Sequence, residues 1–264
     1  MIRFDNLTKS YAGTTVLGGA GSGLTGEIGA GGITSIIGAN GAGKSTLLNI
    51  MGRLLSPSSG RVTVDGLDVA TTPSARLARK LAILRQENHL TARLRVRELV
   101  AMGRFPYTRG RLRPTDWAAV DRAIEFLDLT SLTDRFIDEM SGGQRQRAFI
   151  AMVLAQDTEV ILLDEPLNNL DMRHSVQLMR QVRRAADELG RTVVLVMHDL
   201  NFAAAYSDRM LALQNGELRA HAPVSQVMTD RLLTEVFGTP VQVTTVAGQL
   251  TALYCRGETH PIGR

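Results

Sequence analysis

Gly38-Ala39-Asn40-Gly41-Ala42-Gly43-Lys44-Ser45, with Thr46 directly after it, fits the spacing G-x-x-x-x-G-K-[ST] at every required position. An apolar run of strand character, Ile33 to Ile37, leads into it, and a helix-like run through Leu47, Leu48 and Ile50 leaves it. That strand, loop and helix order is the context in which such a motif works. Glycines let the backbone curl so that successive N–H groups point inward at phosphate oxygens, and the following helix adds the positive end of its dipole. Lys44 is then expected to neutralise the β- and γ-phosphates of a nucleotide, and the Ser45 hydroxyl to take a coordination place on Mg²⁺.

The 264 residues suffice for one large α/β domain or for a core carrying an inserted subdomain. The net charge is +4 and almost all of the positive charge is arginine, the lysines being Lys9, Lys44 and Lys80. A modest excess of this kind permits a polyanion without choosing among nucleotide, nucleic acid and an anionic membrane surface. Cys255 is the single cysteine, so an intrachain disulfide and a cysteine-built zinc site are both excluded, in keeping with a reducing compartment. Apolar runs such as Val160 to Leu163 fall far short of the ~18 residues that a membrane span needs, so any membrane role is expected to be peripheral and to pass through a partner.

Outward from the motif, residues 2 to 7 read as a strand, and Tyr11 to Leu17 as a turn leading into another. Gly18 to Gly32 is crowded with glycine where a strand wants branched and aromatic side chains, so a loose loop or a weak edge strand is expected there. Val62 to Gly66 reads as a strand closed by an Asp-Gly turn, Pro73 to Lys80 as a short helix, and Leu81 to Leu84 as a strand ending at Arg85 and Gln86. From Glu87 to about Glu139 the strand signal fades, and Val96 to Gly103 and Pro114 to Leu129 carry helical periodicity. This reads as an all-helical insertion, with Trp117 on a buried stripe and Pro106 breaking the pattern within Arg104 to Tyr107. Ser141 is suited to cap a helix reaching Ala155. Val160 to Leu163 suits a central strand buried on both faces. A helix from Met172 to Leu189 and a strand from Thr192 to Met197 come next, with strand candidates at Met210 to Leu213 and Gln242 to Val246 and helix between them. Alternating strands and helices predict a mainly parallel sheet covered on both faces.

Four further sites, the adjacent Asp164 and Glu165 counted as one, match what ATP hydrolysis needs. Asp164 closes an apolar strand, where its carboxylate reaches the metal directly or through water. Glu165 stands one residue further along, placed to orient or deprotonate an attacking water. His198 ends the next strand candidate and faces the ligand crevice of such a fold, whereas His89, His174, His221 and His260 lack that context and receive no role. Gln86 carries an amide suited to Mg²⁺ or water. Ser141-Gly142-Gly143-Gln144 makes a second phosphate-binding surface at a helix start, and one γ-phosphate does not need two. The inference is that this second surface serves the nucleotide of another copy, hence a dimer.

Taken together these residues resemble the ATP-binding cassette (ABC) ATPases through nearly the whole chain. The P-loop, Gln86 as Q-loop, Ser141 to Gln144 as signature, Val160 to Glu165 as Walker B, Asp171 as the D-loop aspartate and His198 as the switch histidine stand in the family's order. Tyr11 matches the aromatic that stacks on adenine, with Val16 beside it. The resemblance implies an α/β fold with a P-loop NTPase (RecA-like) core, a small N-terminal antiparallel β region and an inserted helical subdomain. A single cassette over 1–264 is expected, with its core at 1–86 and 158–264 and its helical part at about 87–157. It implies a head-to-tail dimer with two ATP molecules between P-loops and opposed signatures, Mg²⁺ held by Ser45, Gln86 and Asp164, and Glu165, His198 and Gln86 as the catalytic set. Ser141 to Gln144 and Asp171 then face the partner's ATP.

Gln86-Glu87-Asn88-His89, Gly103 to Tyr107, Leu167 to Asp171 and His198 to Phe202 are similar to the branch that energises ferric-siderophore, haem and cobalamin importers. Implied partners are an integral membrane permease at the cytoplasmic face of the membrane and, indirectly, an extracytoplasmic substrate-binding protein, with ferric siderophores as the cargo and no nucleic acid expected. Two departures stand out: Met140 replaces the leucine usual before the signature, and the glycine-rich 18–32 stretch replaces an apolar strand. The rival expectation is a soluble ABC ATPase acting on nucleic acid in repair or translation.

Overall fold

The computed structural model describes residues 1–19, 23–86, 92–108 and 110–254. The expectations for Glu87 to His89, for Cys255 and for His260 lie outside them.

The chain opens with β1 (Ile2–Tyr11), whose alternation buries Ile2 and Phe4 and exposes Arg3, as the period-2 pattern of its start requires. β2 (Thr14–Leu17), β3 (Leu24–Ile28) and, further on, β5 (Ser59–Val64) all pair antiparallel to β1. Between them in sequence come β4 (Gly32–Ile37) and α1 (Lys44–Met51), and β6 (Leu67–Asp68) then turns back on β5. Of the two expectations for the glycine-rich stretch, the described part, 18–19 and 23–32, fits the strand. β3 lies along β1 and buries Leu24 and Ile28. Gly26 has a packing reason, since a Cβ on it would lie 2.7 Å from Cζ of Phe4.

Beyond α2 (Ser74–Leu77) and β7 (Leu81–Leu84) come α3 (Val96–Met102), α4 (Phe105–Thr108), α5 (Pro114–Phe126) and α6 (Gly142–Ala155). The expected break falls at Gly103 and Arg104, between α3 and α4, just ahead of Pro106 rather than at it. Pro106 is the second residue of α4, where its missing N–H has no intrahelical partner to lose. Trp117 packs half-buried against the core, with the Arg97 guanidinium 4.8 Å from its ring centroid.

The remainder is β8 (Val160–Leu163), α7 (Met172–Glu188), β9 (Thr192–Val196), α8 (Leu200–Tyr206), β10 (Arg209–Gln214), β11 (Glu217–Pro223), α9 (Val224–Val227), α10 (Asp230–Phe237) and the hairpin β12 (Gln242–Val246) and β13 (Gln249–Leu253). The central sheet has the order β11-β10-β4-β9-β8-β7, parallel from β10 to β7, with β11 antiparallel at one end. Its two faces feed two cores. Ile33, Ile37, Ile161, Leu163, Val193 and Leu195 face α3, α5, α6 and α7. Ile36, Leu162, Val194 and Val196 face α1 and the N-terminal sheet. Because β8 is buried on both faces, truncating Leu162 to alanine is expected to cost about 2–5 kcal/mol.

Candidate active site

The sheet brings the sequence-predicted residues to one edge. β4 ends just before Gly38, β8 just before Asp164, β9 two residues before His198, and β7 two residues before Gln86. Ile36 lies opposite Val196, Leu195 opposite Leu163, and Leu163 opposite Leu84, so parallel pairing delivers all four strand ends to the same side. In open α/β sheets that side is where ligands bind.

The loop after β4 is shaped by its glycines and by its own lysine. Gly38 has φ 150°, and a Cβ there would lie 2.3 Å from the Leu213 carbonyl oxygen, so the turn closes only without a side chain. Gly43, at φ 96°, precedes α1, whose start has neither a side-chain cap nor an acidic residue in its first turn. Its backbone N–H groups are therefore left for a ligand, and the helix dipole favours an anion. The Lys44 ammonium donates to the Gly38 and Ala39 carbonyl oxygens, each at 2.9 Å. Burial strips its hydration and holds its pKa below the ordinary lysine value, against the opposing pull of Glu165 and Asp164.

Residues just beyond β8 build the acidic side of the cleft. The Ser45 hydroxyl donates to Asp164 Oδ1 at 2.8 Å. Asp164 is 5% exposed, and burial pushes its carboxyl above the usual aspartate range, helped by neighbouring Glu165 and opposed by the Ser45 bond, His198 and Lys44. Glu165 occupies the left-handed region at φ 48°, a costly backbone state for a residue with a Cβ. That turn directs its carboxylate toward His198, with Oε1 2.5 Å from Nε2, while the Asn168 amide donates to Oε2. Glu165 and His198 face Val16, Asn40, Gly41 and Gly43 to Thr46 across an open cleft of about 300 Å³.

The remaining sequence-predicted residues lie elsewhere. Among the described residues lining this cleft, Tyr11, Gln86, Ser141 to Gln144 and Asp171 do not appear. Tyr11 is exposed at the end of β1 with the Lys9 ammonium 4.9 Å from its ring centroid, and Gln86 is exposed just past β7. Ser141 caps α6 as expected: its Oγ accepts from the Gln144 N–H at 3.3 Å while the Gln144 amide oxygen accepts from the Ser141 N–H at 3.2 Å. Asp171 caps α7, accepting from the His174 N–H at 2.8 Å, and its side chain is 65% exposed. Sequence reasoning missed Asn168, which the Glu165-Pro166-Leu167-Asn168 spacing across a turn foreshadows. It also missed His174, whose ring meets Gly143 only in the fold.

A nucleotide cradle, a buried aspartate on the P-loop serine and a glutamate–histidine pair across one cleft accord with comparisons to known proteins. The family described as ABC transporter matches residues 22–168, more than half of the chain. The chain belongs to the ABC transporter family. Over 243 residues it is 52% identical to the petrobactin import ATP-binding protein FatE of Bacillus anthracis, covering 92% of this chain and 96% of that one. Among solved structures, a transporter assigned to the metal-chelate ABC type, in an inward-facing conformation, superposes with a TM-score of 0.81 at 25% identity, over 96% of this chain and 98% of that one. A dimeric post-hydrolysis state of the ATP-binding cassette MJ0796, bound to ADP and Pi, superposes with a TM-score of 0.73 at 29% identity, over 85% of this chain and 99% of that one. The chain is thus an ABC ATPase of transporter type, and the nucleic-acid rival falls away. No described helix is long and apolar enough to cross a membrane.

Proposed function

We propose that this ABC ATPase is the motor of an importer for ferric siderophores, working as a pair of copies against a membrane permease. Support for the cargo is the 52% identity to a petrobactin import protein and the fold match to a metal-chelate type transporter. The pair at the cytoplasmic face of the membrane then has permease subunits as its direct partners and an extracytoplasmic binding protein as an indirect one. The observation that carries the hydrolytic reading is the Glu165–His198 contact at 2.5 Å across the cleft from Lys44 and Ser45.

In this reading the loop from Gly38 to Thr46 wraps the phosphates, and Lys44 leaves its two carbonyl oxygens for the β- and γ-phosphates. Incoming phosphate charge offsets the burial that depresses the Lys44 ammonium. Tyr11 stacks on the adenine with Val16 beside it. The oxygens of Ser45 and Asp164 form a hard donor pair that suits Mg²⁺, with the Gln86 amide as a further donor. Among the described residues no three His, Cys, Asp or Glu side chains converge on a metal, so the rest of its shell falls to phosphate and water. The ion would supply charge neutralisation on the phosphates.

Glu165 accepts a proton from the attacking water, and His198 steadies the Glu165 carboxylate and donates toward the γ-phosphate. Ser141 to Gln144 and Asp171, all away from the cleft of their own chain, serve the nucleotide of the second copy. The test is ATP hydrolysis by the chain reconstituted in vesicles with its permease. Glu165→Gln is expected to keep nucleotide affinity and lower turnover by about 10²–10⁴-fold; normal turnover removes Glu165 from the role of base.

A further inference from the structure

α6 and α7 meet along a polar seam. The Arg147 guanidinium, 8% exposed, donates to Gln177 Oε1 at 2.6 Å, while further along α7 the Gln181 amide turns instead to Asp128, just beyond α5, at 2.9 Å. At the end of the seam where both helices begin, the contact is of another kind. Gly143 lies so close to α7 that a Cβ on it would be 2.5 Å from Cδ2 and 2.6 Å from Cγ of His174. The same ring is held on its other edge by Asp171, whose Oδ1 lies 2.8 Å from His174 Nδ1 and also accepts the His174 N–H. These bonds hold the Asp171 carboxyl below the usual aspartate range. Nearby, the Asn169 carbonyl oxygen lies 3.7 Å from where a Gly142 Cβ would be, so the turn from Leu167 to Asp171 backs onto the start of α6.

We propose that His174 is a positioning residue that fixes the Ser141–Gln144 helix start against the Asp171 turn. The two surfaces a copy lends to its twin then move as one unit. The proposal rests on the pairing of two copies around ATP. One ring side chain serves both surfaces: its nitrogen orients Asp171, and its edge carries the Gly143 backbone, which approaches only because glycine has no side chain there. The turn that reaches Asp171 begins at Glu165 and Asn168, so the unit is joined by a short covalent path to the copy's own hydrolytic carboxylate.

The test uses the full chain carrying Glu165→Gln, with Mg-ATP, read by sedimentation for dimer and by a fluorescent ATP analogue at low protein concentration for monomer affinity. Adding His174→Ala is expected to weaken dimerisation by about tenfold, the scale of one charge-assisted hydrogen bond at a partly exposed site. Monomer affinity should stay within about twofold, because the P-loop contacts are separate. His174→Asn, whose amide reaches Asp171 without the ring edge against Gly143, is expected to recover part of the loss, and it serves alone if the alanine variant does not fold. Dimerisation equal to the parent's in both variants, or a fall in monomer affinity that matches the fall in dimer, overturns the assignment. A parent that stays monomeric overturns the pairing of copies and this inference with it.

Discussion

The two glycine-flanked helix starts of this chain, α1 and α6, share backbone chemistry and differ in company. α1 begins in a packed pocket, with Lys44 5% exposed and satisfied by its own loop, and with Asp164, Glu165 and His198 brought across from neighbouring strands. α6 begins at the surface: Ser141 and Gly142 are exposed, and Ser141 and Gln144 satisfy each other. The first gathers its cation, hydroxyl, carboxylates and imidazole from a single chain. In the proposed pairing the second is the part lent to another copy, presented outward beside Asp171 by the His174 contact.

The sharpest way to separate them is to damage each in turn. Glu165→Gln, with its thousandfold scale of effect, tests whether the α1 cleft performs the chemistry while leaving binding intact. Lys44→Ala removes the buried cation facing the phosphates and is expected to lower monomer ATP affinity by about 100-fold in calorimetry. Unchanged affinity there would dissolve the contrast. Ser141→Arg should do the opposite, leaving monomer affinity within about twofold while ATP-driven dimerisation of the Glu165→Gln chain falls by at least about tenfold.

Acidity gives a finer cut between the two regions. In the proposed site the cation meets the ionised carboxylate of Asp164, and burial has moved its pKa upward, so protonation competes at a higher pH than for an ordinary aspartate. Mg-ATP affinity should therefore fall as pH drops through that raised value, while affinity for ATP measured in a chelator changes less. Parallel curves would mean that Asp164 does not meet the ion. The smallest expected effect is Tyr11→Ala, a several-fold loss of affinity for ATP relative to inorganic triphosphate, on the scale of about 1 kcal/mol for one stacking contact.

Much of the molecule is readable in the sequence where a local rule decides the outcome. The P-loop spacing, the Ser141 cap and the doubly buried β8 each depend on a few adjacent residues, and their positions agree with the structure. β11 was missed although Asn215-Gly216, with both residues at positive φ, is a strong hairpin signal after β10. The mixed composition of β11, Glu217 to Pro223, hid it. β3 was hard to read because its glycine is explained by the Phe4 ring packed over it, a partner more than twenty residues away. The same holds for His174. Its spacing from Asp171 is visible in the sequence, but its meeting with Gly143 arises only when α6 and α7 pack.

Complementation by mixing two disabled chains tests the central claim, that α6 of one copy completes the α1 site of another. Lys44→Ala retains a sound α6 start, and Ser141→Arg retains a sound P-loop, so a mixed pair contains one intact composite site. With the permease in vesicles, the mixture is expected to hydrolyse ATP well above the sum of the two variants alone. A mixture that shows no more than that sum, although the chains are shown to exchange partners, would contradict the account.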